Sequence, residues 1–368
     1  MNALRRISGL TLGLSLGLGL ALTPNSAGAG IEVDGQTLEV IDVHLHSGNF
    51  GQLAPSGKGY LISGTPSFTQ LYAPGIFNRL LDPYAAHIGI RAQTEMAGFD
   101  HAVVLATYTH ETTGYFTNTQ LLGYLRDERN VDFDDGSDEP WAWGLASINF
   151  FDDYAGNVEA RLAALDSFFA EQGDWMIGVK LAHAHQAVPL DAPEFLGVYD
   201  VAAKHGVPVL LHTGFSPFPN SQTDPEFYDP SYLDSVVSNY DGSGSAGRVD
   251  FVLSHVGQGD LRATENALSL AETYDNVYLE ISALNRPARL GLDGEELDST
   301  TPQYVYVLEQ IKARGLIGKT LFATDGAQFS GFVSSYLELM VSGMRDANYT
   351  VEEMAQVLAG NFHALYGV

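Results

Sequence analysis

The 368-residue chain contains no cysteine, so no disulfide braces it and no thiolate serves as nucleophile or metal ligand. Water, a hydroxyl, an amine or a carboxylate must do any nucleophilic work. Basic residues are scarce: 18 Lys and Arg stand against 45 Asp and Glu, a formal charge of −27. That balance argues against a nucleic-acid partner, which would need basic stripes, and it suits solubility. No G-x-G-x-x-G follows the first apolar segment, which weakens a dinucleotide-binding reading. Beyond residue 30 no stretch is long and apolar enough to span a bilayer.

The one long apolar run, Leu10 to Leu22, follows Arg5 and Arg6, is dotted with glycine and leads to Ala27-Gly28-Ala29. It reads as a signal peptide over residues 1–29 rather than an anchor, because a span needs ~20 apolar residues. Arg5-Arg6 is what twin-arginine export would use, although Ser8-Gly9 fits that route poorly. The remainder, 30–368, is expected to be one exported domain, periplasmic or secreted, with no stable membrane insertion after cleavage. The acidic run "DFDDGSDEP", Asp132 to Pro140, lacks EF-hand spacing and a closing glutamate, and reads as a solvated loop.

What is present is an alternation of short apolar runs and longer helical patterns, the signature of βα units. Strands are expected at Leu38–His46, His101–Thr109, Trp141–Asn149, Met176–His183, Val207–Gly214, Asp250–Val256, Asn276–Ala283 and Thr320–Asp325. Helical patterns between them include Val158–Gln172, Glu194–His205, Leu261–Tyr274, Pro302–Arg314 and Ser334–Arg345, with Glu352–Tyr366 closing the chain. The strands are near-continuously apolar, as in a parallel sheet covered on both faces. Eight such units predict an α/β fold, a (β/α)8 TIM barrel, with an open doubly wound sheet as the alternative.

In such a barrel, chemistry sits at the carboxyl ends of the strands. Strand 1 ends in His44-Leu45-His46, and alternation turns i and i+2 to one side. Strand 4 carries Lys180, strand 5 ends in His212, strand 6 in His255 and strand 8 in Asp325. Neutral imidazoles and a carboxylate converging there suit a borderline divalent metal, zinc by default, whose bound water has a pKa lowered toward ~7. A neighbouring carboxylate could take that water's proton, and a second imidazole could meet the oxygen on which charge develops.

The ordered set D-x-H-x-H (Asp42 to His46), G-V-K-L (Gly178 to Leu181), P-V-L-L-H-T-G (Pro208 to Gly214), S-H-V-G (Ser254 to Gly257) and A-T-D-G (Ala323 to Gly326) resembles the amidohydrolase superfamily, and within it the amidohydrolase-related (amidohydrolase 2) family. The closing "LAGNFHALYGV" is similar to that family's terminal helix. The resemblance implies that His44, His46 and His212 bind metal. It makes Asp325 both ligand and general base, and His255 the group that polarises the substrate or, with two metals, a further ligand. Asp42 then orients the strand or a ligand. Lys180 is left with three roles: an unmodified substrate-binding or electrostatic amine, a carbamate bridging two metals, or a structural lysine. One ion is expected, two if Lys180 is carboxylated.

His183 and His185 repeat the i, i+2 spacing and are expected mainly at the surface of an outgoing loop. Tyr108, His110 and Asn149 end strands and are candidates to line the pocket. His87, His101, His205 and His363 read as structural. The long segments Ser47–Pro83, with Phe50, Tyr60, Phe68, Tyr72 and Phe77, and Phe215–Tyr232 are expected to form the mouth. Lys58, Arg79, Arg286 and Arg289 are the cations available to meet a substrate carboxylate.

The expected activity is an exported metal-dependent hydrolase that attacks an amide, lactone or ester-type carbon of a small organic substrate. The alternative implied by the resemblance is a metal-dependent nonoxidative decarboxylase or hydratase acting on an aromatic or unsaturated carboxylic acid. A TatD-like or PHP-type phosphoesterase fits less well: the first would need a glutamate at position 180, the second a late Asp-x-His. A non-catalytic binding protein would bind metal poorly. The partner is a small molecule, and a homodimer is compatible with the sequence.

Overall fold

The computed structural model describes residues 30–47, 50–63, 67, 69–75, 90–91, 93–127, 140–150, 154–193, 196–326 and 331–368. The expected signal peptide, the acidic run up to residue 139, and Phe68, Phe77, Arg79 and His87 lie outside the described residues. No helix among the described residues is long and apolar enough to cross a membrane.

Eight strands form one sheet: β1 (Ile41–His46), β2 (His101–Leu105), β3 (Ala142–Ala146), β4 (Met176–Leu181), β5 (Val209–Gly214), β6 (Phe251–Gln258), β7 (Val277–Glu280) and β8 (Thr320–Leu321). They run parallel in sequence order. The two edges meet: Val43 N donates to Phe322 O (3.3 Å), Asp325 N to His44 O (3.0 Å) and His46 N to Gly326 O (2.8 Å). The expected (β/α)8 barrel is therefore the observed fold.

Several strands are shorter than their apolar runs. Ala106 breaks the second run, so Thr107–Thr109 leaves the barrel and pairs as a hairpin with Gly114–Phe116. Leu38 belongs to a small hairpin before β1. The fourth run ends at Leu181, because His183–Gln186 forms a helical turn.

Inside the barrel, Ile41, Val43, Leu105, Leu145, Leu210, Val252 and Leu321 form one apolar cluster. The alternate residues, such as Val104, Leu211, Leu253 and Leu279, face outward into a separate cluster with Leu165, Val198, Leu268 and Val307 of the surrounding helices. The terminal helix α1 (Asn361–Tyr366) plugs the amino end. Phe362 is buried there, 5.6 Å from the Trp143 ring and 4.9 Å from Tyr366 between centroids. Asn361 Nδ2 fastens the plug by donating to Ile317 O and Thr320 O, both at 2.7 Å, which gives the Gly-Asn pair of the closing motif a physical reason.

Candidate metal centre

Strict alternation along β1 would put Asp42, His44 and His46 on one side. The register against β2 shifts between Asp42 and Leu45. Ile41 and Val43 then fill the barrel while Leu45 packs outward, leaving His44 and His46 to face inward above them. Asp42 turns toward the segment after β8, accepting bonds from Thr324 N (3.1 Å) and Thr324 Oγ1 (2.6 Å) there and from His44 N (3.0 Å) on its own strand. Burial raises its carboxyl to about 7, against the opposing pull of those bonds. A second register shift, where β3 meets β4, turns Lys180 inward in the same way: Ile177 stays in the barrel and Val179 joins the outer cluster.

Asp325 Oδ1 lies 3.2 Å from His44 Nε2 and 3.0 Å from His46 Nε2, and the two Nε2 atoms are 3.2 Å apart. His44, His255 and Asp325 each offer one ligand atom within 4.8 Å of the others. The His212 ring is 4.8 Å from that of His255, and its buried Nε2 has no hydrogen-bond partner among the described residues. Such a group is costly to bury unless something satisfies it. A cation would satisfy this one, so the residues present fit a metal.

The outer nitrogens are occupied. His44 Nδ1 meets Glu280 Oε2 at 2.8 Å and His255 Nδ1 meets Ser282 Oγ at 2.7 Å, contacts of the kind that fix ring orientation and tautomer beside a metal. Burial first, then neighbouring positive charge, drives His44 and His212 well below the usual imidazole range; burial likewise drives His255 to about 3. All three are thus neutral near pH 7, with a lone pair to give. Burial works to raise Asp325, but the His46 bond and the neighbouring Lys180 charge are among the influences that outweigh it and hold its carboxyl below the usual range. Burial also disfavours charge on Lys180 and on Glu280; the Lys180 Nζ donates to Ser254 Oγ at 3.3 Å.

The backbone here is strained. His255, Val256, Ala283 and Asp325 have φ of 66°, 44°, 56° and 58°, a region that costs a non-glycine residue about 1–3 kcal/mol. The glycines two places after His212 and His255 accept what a side chain could not. A Cβ on Gly214 would lie 2.3 Å from Gln258 N, and one on Gly257 would lie 2.4 Å from Ala263 C.

His44, His46, Lys180, His212, His255 and Asp325 all line one cavity of about 250 Å³. Glu280 is the buried acid beside His44 that the sequence pattern did not single out; its signal was a lone acid inside the apolar run "VYLEIS". His183 and His185 are buried rather than superficial, because their turn is capped by the segment after β5, with Gln222 N donating to Ala184 O at 2.8 Å. His185 lines the cavity, its Nδ1 2.8 Å from Thr112 Oγ1 and its ring 4.9 Å from that of His212. Tyr108, His110 and Asn149 do not line it, whereas Thr107, Thr109 and Tyr115 of the hairpin do. Of the cations expected at the mouth, Arg286 lines this cavity, Arg289 a smaller recess beside it, and Lys58 Nζ is bonded to Gly51 O. His205 pairs with Asp166 and His363 with Glu39, away from the site.

The sequence profile of the amidohydrolase family matches residues 91–368. The chain belongs to the amidohydrolase family. It is accordingly an enzyme of a metal-dependent family that acts on small molecules. No curated protein matches the sequence. Among solved structures, this amidohydrolase is similar to a probable 2-pyrone-4,6-dicarboxylic acid hydrolase from Acinetobacter baumannii with citric acid bound (14% identity, TM-score 0.54, covering 90% of this chain and 100% of that one). It is also similar to a dihydroxybenzoic acid decarboxylase from a Polaromonas species with bound manganese (14%, 0.52, 90% and 97%). A third likeness is to an amidohydrolase from Burkholderia multivorans with bound zinc (12%, 0.52, 90% and 99%). At these identities the likenesses speak for the fold.

Proposed function

We propose that this amidohydrolase hydrolyses an amide, lactone or ester-type bond of a small organic substrate, with His44, His46, His212 and Asp325 holding a divalent cation for which zinc suits the donor set. When bound, such a cation polarises a carbonyl and lowers the pKa of water toward ~7. The observation that carries the reading is Asp325 Oδ1 at 3.0 and 3.2 Å from two imidazole Nε2 atoms: a carboxylate kept ionised where ligand nitrogens converge is placed to take a proton from water. The Ser282 hydroxyl can donate to His255 Nδ1, which leaves Nε2–H to donate to the oxygen on which charge develops. Lys180, engaged by Ser254, acts as an unmodified amine whose charge steadies Asp325. In that form the site takes a single ion.

Aromatic walls favour a second reading. Tyr60, Tyr115, Phe116, Phe218 and Phe332 line the cavity and would accept a ring-bearing carboxylic acid, the substrate class for decarboxylation. The test is a screen of lactones, amides, esters and aromatic carboxylic acids with zinc- and manganese-loaded protein. Acid release from one of the first three classes is expected, and carbon dioxide release would replace hydrolysis with the lyase reading. The reading extends to processing: residues 1–29 are a leader and 30–368 one barrel domain, so the amino terminus of exported protein should be Gly30.

A further inference from the structure

Arg286 stands at the mouth of the same cavity, on the segment that leaves β7. Its two Nη atoms donate to a neutral partner, the Tyr60 hydroxyl, at 3.2 and 3.3 Å. Arg91, Arg248, Arg262, Arg314 and Arg345 each face a carboxylate. Arg286 faces none among the described residues, in a chain with 45 acidic side chains; Arg126, which meets Gln172, and Arg289 also face none there, but neither lines this cavity. The segment that carries it is fixed. Ala283 holds a left-handed φ of 56°, Leu284 N donates to the Tyr336 hydroxyl at 3.1 Å, and Arg286 O accepts from Gln303 N at 2.9 Å. Tyr60 is braced in turn by Phe218, 4.8 Å away between ring centroids.

We propose that Arg286 anchors a carboxylate of the substrate, whose planar or apolar body lies against the aromatic walls while its reacting bond meets Asp325. The substrate class is thus a small organic acid carrying a carboxylate that does not react. A guanidinium fork matches a carboxylate with two parallel N–H bonds, and only a phenol has to be displaced to form them. Tyr60 is a positioning residue that keeps the fork aimed while the site is empty of substrate. The inference rests on the proposed function in one respect: the cavity is where the reaction occurs.

The test titrates the metal-loaded protein with benzoate and with benzamide, isosteric probes that differ in charge, by ligand-observed NMR. Benzoate should bind about tenfold or more tightly than benzamide, the size expected of charge-assisted bonds. Arg286→Gln should erase that preference without weakening benzamide, and Arg286→Lys should keep part of it; thermal melts confirm that both variants fold. A preference undiminished in Arg286→Gln would place the carboxylate elsewhere, at the metal for instance, and overturn the anchor. Turnover in the same samples is read separately. If no substrate class is turned over while the preference still depends on Arg286, the hydrolase reading falls and the anchor stands.

Discussion

The two ends of the barrel interior are built by the same strands, and a step of two residues separates them. On β5 the inward sequence passes from Leu210 to His212, on β6 from Val252 to Ser254, on β7 from Tyr278 to Glu280, and beyond β8 from Ala323 to Asp325. Two residues along a strand are about 6.6 Å. Below that step the barrel is an apolar core plugged by Phe362; above it stand neutral imidazoles, an ionised carboxylate, a His212 Nε2 with no partner among the described residues, and strained backbone at three strand ends. The lower layer is where stability is made, and the upper layer consumes some of it to hold chemistry. The two should therefore come apart under mutation.

The largest effect should come from the top. Asp325→Asn keeps shape and removes the proton acceptor, so turnover should fall about 10³-fold or more while the thermal midpoint stays near that of the wild type; full activity would remove Asp325 from the chemistry. At the bottom, Phe362→Ala should cost about 3–5 kcal/mol of unfolding free energy, measured by urea titration, with activity per folded molecule retained. Loss of activity without loss of stability there would break the division between the layers. Glu280→Gln lies between: it keeps the shape but replaces the carboxyl that meets His44 Nδ1 with an amide, and should weaken metal affinity about 10–100-fold, read by competition with a chelator. The smallest effect belongs to neither layer. Thr350 caps the helical turn Val351–Ala355, its hydroxyl accepting from Glu353 N at 3.2 Å, and Thr350→Ala should cost about 1 kcal/mol with turnover untouched.

The lower layer was largely legible in the sequence, because continuous apolar runs of strand length announce a covered parallel sheet. The upper layer was legible where an unusual residue closed such a run: His44, His46, His212, His255 and Asp325 all emerge that way. Glu280 did not, since it has no partner at a recognisable spacing and only the fold brings it 2.8 Å from His44. The register shifts at Asp42–Leu45 and at the junction of β3 with β4 were also hidden, because periodicity assumes an unbroken strand. His183 and His185 were misplaced for a third reason: their burial depends on a segment some forty residues downstream folding over them.

A metal held by the strand-end cluster should depend on His212, whose buried Nε2 has no protein partner among the described residues. Metal analysis of purified, zinc-loaded protein should find a stoichiometric divalent ion, and His212→Ala should lose it, and turnover with it, at an unchanged fold. A wild type that turns substrate over without metal, or a His212→Ala protein with its full metal content and activity, would contradict it.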